Sequence, residues 1–214
     1  MRSLRPFALA LALTAGPAAG GRADIVDRIV ASVGRQLVTL SDVQEEYRTQ
    51  CFLEGKEIGA LDDVRVREIA NRLVDQALLR QEMEGATFPR AAPQAVDAQL
   101  EPIRRRFSGP AAYRAALERY GLEEQSLRRR LQFQADVERF IDYRFRPRAQ
   151  VTSEETERYY RQALLPELRK QRAREPGLEE VREKIAALLT ERRINELLAA
   201  WIEALRGQAD IHLR

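Results

Sequence analysis

The 214-residue chain is poor in the residue types that carry most side-chain chemistry. It has one cysteine, one histidine, one tryptophan and two methionines. A single cysteine, Cys51, excludes an internal disulfide. Only Arg48 lies near it in sequence to activate a thiolate, so Cys51 reads as a small apolar residue at a helix end. The lone histidine, His212, stands near the C-terminal end without Cys or His partners, which excludes the usual zinc ligand sets. Glycine-rich phosphate loops, a G-x-S-x-G turn and paired cysteines are all missing. No apolar run reaches the ~20 residues that a membrane-spanning helix needs. Carboxylates are plentiful, but they alternate with arginine in helix-like segments and read as solvated ion pairs. No catalytic residue, cofactor or metal is therefore expected.

What is present starts with a targeting pattern. Arg2 and Arg5 precede a short apolar run, Phe7 to Ala15, and then a stretch rich in small residues, Gly16 to Ala23. This is the order of a cleavable export signal, and residues 1–23 are read as one. Residues 1–23 contain Arg2, Arg5 and Arg22 and no acid, so their loss cancels the +3 formal charge of the whole chain. A case for nucleic acid built on net charge goes with it. The runs Arg104–Arg106 and Arg128–Arg130 do not restore it, because three successive helical residues fan over about 200° and make no stripe. No nucleic-acid partner and no stable membrane insertion after cleavage are expected.

The remaining chain, 24–214, reads as mainly helical with a small sheet. Val30–Val33 and Gln36–Leu40 resemble two short strands around Gly34-Arg35, and Ser41 with Gln44 suggests a capping box that opens a helix to about Cys51. Helical periodicity is clearest over Asp62–Glu84, where Val66, Ile69, Ala70, Leu73 and Ala77 recur on one face. Further helices are expected over 92–107, with Pro102 kinking or splitting it, over 110–120, and over 123–145. The apolar residues of the last cover more than half its circumference, whereas a surface helix needs a stripe of only ~100°. That helix must be covered on two sides or leave apolar surface open. A capped start at Thr152 or Ser153 begins a short helix carrying Tyr159 and Tyr160; Pro166–Gly177 reads as loop or frayed helix. Leu178–Arg206 is the longest helix, ended by Gly207, with its apolar face turning near Arg192 and Arg193. The terminal Asp210–Leu213 alternates like a strand. A two-stranded hairpin is marginal alone, so the terminal strand is expected to pair with 29–33 or 36–40, and the Trp201 face to lie on this sheet.

The order of these segments resembles a known family. "IVDRIVASVGRQLVTLSDV", then "IANRLVDQALLRQE" about two dozen residues later, then "VTSEETERYY" and "VREKIAALLTERRINELLAAWIEALRGQADIHL", are similar to the SurA-type periplasmic chaperones. Gly34-Arg35 stands where that family usually has an Asn-Gly-type turn. The resemblance implies a multi-helix chaperone module whose C-terminal strand joins the N-terminal hairpin. Typical members carry parvulin-type isomerase domains between the Tyr-Tyr helix and the C-terminal helix. Here only residues 161–177 lie between them, and a domain needs at least ~50 residues. The isomerase activity is not carried over.

What the resemblance leaves is binding: a periplasmic holdase for unfolded polypeptides, outer-membrane proteins first among them, without prolyl isomerase activity. The alternative is a non-catalytic adaptor that binds one folded partner in the cell envelope. For a holdase, the aromatics near the helix breaks, Phe107, Tyr113, Phe133, Phe140 and Tyr143, are the candidate client-binding residues. They are expected to line an open groove walled by the third to fifth helices.

Overall fold

In a computed structural model that describes residues 27–214, Ile29–Val33 (β1) and Gln36–Thr39 (β2) pair antiparallel around Gly34-Arg35. The expected export segment, 1–23, lies outside the described residues. Gly34 has φ 54°, a left-handed value that glycine adopts without strain and that tight hairpin turns demand. Ile211–Leu213 (β3) joins the other side of β1, giving the order β2-β1-β3. Val33 faces Ile211 and Ala31 faces Leu213. The Gly34 N–H donates to the Asp210 carbonyl at 2.9 Å, and the Arg214 N–H to that of Val30 at 2.9 Å. Of the two strands open to the C-terminus, β1 takes it. Its Val30, Ala31 and Val33 are all buried, and a strand apolar on both faces belongs at the centre of a sheet.

Among the described residues, eight α-helices complete the fold, which is mainly α with this small sheet: Leu40–Glu54 (α1), Asp63–Glu84 (α2), Pro93–Arg104 (α3), Pro110–Tyr120 (α4), Glu124–Phe145 (α5), Ser153–Tyr159 (α6), Leu165–Lys170 (α7) and Leu178–Gln208 (α8). Several boundaries differ from expectation. The cap of α1 is Thr39, not Ser41; Thr39 and Asp42 form the capping box, because β2 stops at Thr39 and the helix begins at once. Pro102 does not split α3. It sits in the last turn and α3 ends at Arg104, so the broken bond is one that end fraying would have weakened anyway. Pro166–Gly177, read as loop or frayed helix, begins as the end of a helix that runs on past Tyr160 to Lys170, and residues 171–177 are irregular. A π-turn over Tyr160–Leu164, with the Leu165 N–H reaching the Tyr160 carbonyl, links α6 to α7. The wider turn admits Pro166, whose missing N–H and bulky ring oppose a regular helix. At the other end, α8 runs through Gly207 to Gln208.

Packing divides into a sheet end and a helical lobe with α5 between them. At the sheet end, Val30, Val33 and Val38 meet Val43 of α1 and Ile69, Val74 and Leu78 of α2, with Leu205, Ala209 and Ile211 closing over them. Arg206 fixes that closure, donating to Asp75 at 2.6 Å and to the Asn71 carbonyl at 3.1 Å. In the lobe, α3 and α4 wrap Leu100, Ile103 and Leu117 around Leu127 and Leu131 of α5, with Phe52 of α1 inserted between them. Farther along α5, Phe140 packs on Met83 and Phe88. Phe145 packs on Ala149 and on Ile194 of α8. The α8 helix leans first on α6, with Arg193 and Glu155 2.6 Å apart, and then on α5 and α2. Its change of face is thus real. Trp201, however, does not lie on the sheet. It packs between Phe140, tilted to it at 5.8 Å, and Phe145, edge-to-face at 5.5 Å, and Leu205, one turn later, makes the sheet contact.

Candidate functional site

A long concavity runs beside β2 and along α2 and α5. It begins as a hollow of about 360 Å³ over Gln36, Leu37 and Val38, bounded by α1 and α2. It continues as a cleft of about 860 Å³ over Met83, Val96 and Phe133. The two share Glu46, Gln76, Arg80 and Arg130 as common walls, so they form one trough.

Each wall has a local cause. β2 is an edge strand, because β1 already pairs with β3 on its other side. Leu37 is 56% exposed there, since side chains alternate along a strand and Val38 takes the core side. On α5, Arg130 and Phe133 are three residues apart and so share a face. Arg130 pairs with Glu46 of α1 across the floor of the trough. Burial pushes its guanidinium below the ordinary arginine value, and its Nε is buried without a partner. Phe133 is half-buried, with the Arg80 guanidinium 4.7 Å from its ring centroid, a favourable cation–π contact. Beneath it, Asp136 is buried and accepts hydrogen bonds from the Ala91 N–H at 2.8 Å and from Gln132 at 3.2 Å. These bonds hold the segment before α3 against α5 and keep the cleft's far wall in place.

The arrangement is chemically mixed. Met83, Val96 and Phe133 line the cleft, the Glu46–Arg130 pair crosses the floor, and Arg80, Arg128 and Asp97 supply further donors and acceptors. It can take apolar groups of varied shape and hydrogen-bond a polar backbone beside them. Among the described residues, no group of three or more His, Cys, Asp or Glu side chains is placed to hold a metal. No helix among them is long and apolar enough to cross a membrane.

The five candidate aromatics do not share one groove. Tyr113 and Phe140 are core residues, 3% and 1% exposed, and fill separate clusters. Phe107 is half-buried and stacks on Phe52 at 5.8 Å. Phe133 lines the trough. Tyr143 is 56% exposed and borders a shallow hollow with Asp142, Pro147 and Val151. Leu100, Ile103, Leu117, Leu127 and Leu131 fill the interior between α3, α4 and α5, and a cavity of about 520 Å³ remains at their corner beside Tyr113 and Glu124; the broad apolar girth of α5 reflects cover on two sides, with Leu127 and Leu131 facing the lobe and Phe140 and Phe145 facing α2 and α8. The trough lies between α5 and α2. Sequence reasoning missed Leu37, Met83 and the Glu46–Arg130 pair. The alternation of β2 carries a signal for Leu37; the ion pair, built by tertiary packing alone, carries none.

Compared with known proteins, the chain matches no family model and no curated protein.

Proposed function

We propose that the chain is a SurA-type holdase that binds unfolded polypeptides, outer-membrane proteins among them, in the periplasm. The observation that carries this reading is the trough opening beside the free edge of β2. An edge strand offers unpaired N–H and C=O groups to an extended chain. The adjoining cleft takes apolar side chains without regard to their order, because apolar burial is non-directional. Each site binds weakly, since an unfolded client loses entropy on being ordered. Preference for the unfolded state then delays aggregation by mass action. The order of the sequence segments supports the family, and the export pattern of residues 1–23 supports the compartment. The short connection 161–177 supports the lack of prolyl isomerase activity.

The test is light scattering of a denatured outer-membrane barrel protein, and of an unrelated denatured protein, diluted with and without the chain. Suppression of both is expected. Suppression of neither, with tight binding to a single folded envelope protein, would make the chain an adaptor. In parallel, proline-peptide isomerisation should proceed at its uncatalysed rate.

A further inference from the structure

β1 divides its backbone groups between two neighbours. The Gly34 N–H just beyond it and the Val30 carbonyl turn toward β3, each in a bond of 2.9 Å. Ala31 and Val33, the alternate residues, therefore turn toward β2, where they face Val38 and Gln36. Gln36 and Val38 thus direct their own groups to β1, and Leu37 points its N–H and C=O away from the sheet. The next outward residue, Thr39, is already satisfied. Its N–H donates to Asp42 at 2.8 Å, and as the N-cap of α1 its carbonyl opens the helix ladder. Among the described residues, the open edge of β2 is therefore one residue long. Leu37 also presents its side chain, 56% exposed, and the hollow of the trough runs beside it.

One open donor and one open acceptor on the same residue are complementary to a copy of themselves. In an antiparallel hydrogen-bonded pair the two opposed residues exchange both N–H···O bonds. A second Leu37 laid across the first by a two-fold axis therefore uses the open groups of both edges. A register shifted by one residue would oppose Leu37 to Gln36 or Val38, whose groups are turned to β1. The charges agree with the two-fold register. With Leu37 opposite Leu37, Arg35 falls opposite Thr39 of the second copy, beside the start of its α1. Arg35 is exposed and forms no ion pair among the described residues. At the other end of the edge, Glu46 is taken by Arg130, whereas Asp42 and Glu45 are exposed and meet no cation among the described residues. An antiparallel pair of copies brings each Arg35 to the other's carboxylates; a parallel pair would set like charges together. We propose that β2 is a homodimerisation edge, on which two copies pair antiparallel through Leu37 and extend the sheet to six strands. So short an edge buries far less than the ~1,600 Å² of a standard stable interface, so the dimer is weak and forms in concentrated protein. It closes the edge that the chain-binding reading gives to a client, and client and second copy exclude each other.

The test is sedimentation velocity of the purified protein from roughly 10 µM to 1 mM, with ¹⁵N NMR over the same range. A reversible monomer–dimer equilibrium is expected, with the Leu37 amide shifting on dilution and the Leu188 amide unmoved. Leu37→Lys sets two ammonium groups side by side at the two-fold axis and should weaken the dimer about tenfold. Arg35→Glu and Glu45→Arg should each weaken it several-fold, since the symmetry counts each change twice. The two combined should restore it, because the exchange recreates both ion pairs. All three positions are exposed, so the melting temperature should hold; the charge-exchange series still decides the question if Leu37→Lys lowers it. Protein that stays monomeric at the highest concentration would overturn the proposal. So would a dimer that a folded Leu37→Lys variant leaves intact, shifts that fall on α8 instead of β2, or a double variant no tighter than the single ones. The light-scattering result is separate: protein that dimerises through β2 yet suppresses no aggregation keeps the dimer edge and loses the chain-binding reading.

Discussion

The sheet end and the α3–α4 lobe are both built on apolar clusters, but they are assembled from different distances along the chain. The lobe draws nearly all its core from residues 96–131, with Phe52 and Leu53 of α1 inserted from a distance. The sheet end joins β1 to β3, from opposite ends of the described chain. Local contacts form at little loop-closure cost, whereas the closure of distant segments must be stabilised by what it buries. The helices also begin differently: α4 of the lobe starts without a side-chain cap, whereas α1 and α2 at the sheet end start at Thr39 and Asp62, whose side chains accept from the first turn. The sheet end closes the fold, while the lobe and the trough beside it retain the open surface.

Perturbations should separate the two regions. The largest effect is expected from Leu100→Ala. Leu100 is fully buried in the lobe, and removing such a side chain costs about 2–5 kcal/mol. Hydrogen exchange should quicken in α3 and α4 more than in β1; equal quickening in both would show that the lobe has no independence. Deleting residues 209–214 should cost roughly 1.5–3 kcal/mol, from the lost ladder bonds and the partial cover of Ile211. Because this removes the closure of β1, protection should fall in β1 and in the end of α8 while α3 and α4 keep theirs. A melting temperature within a degree or two of the parent would contradict it.

A smaller, pH-dependent effect belongs to the seam between α6 and α8. The Thr152 N–H, and then Arg193, hold the Glu155 carboxyl below its ordinary value of 4.5. Its folded pKa is depressed, so its contribution is present above that ordinary value and is lost as the pH falls through the folded one. Glu155→Gln should flatten the melting temperature against pH below 4.5, and an unchanged acid slope would remove Glu155 from the account.

Much of this architecture was legible in the residues. The amphipathic helix over 62–84, the capped start at Thr152 or Ser153, the helix ends near 120 and 145 and the third strand near 210–213 follow from local chemistry and from the instability of a lone hairpin. Other features were not. The Trp201 face of α8 was identified, but its axial position was not: Trp201 and Leu205 lie on one stripe, and only packing decides which meets α5 and which meets the sheet. Tyr113 and Phe140 illustrate the same limit. An aromatic beside a helix break has the same local sequence signature whether it fills a core or lines a groove. The π-turn at Tyr160–Leu164 leaves no clear mark in sequence, since Pro166 alone argues for a break.

The trough is the central claim, and site-specific photo-crosslinking to an unfolded client tests it most directly. A crosslinker placed in turn at Leu37, Phe133 and Leu188, in variants shown to be folded, compares the two walls of the trough with an exposed leucine on α8 (52% exposed). Crosslinks at Leu37 and Phe133 with Leu188 silent are expected. Crosslinks at Leu188 with both trough positions silent would contradict the assignment and move the binding surface to α8.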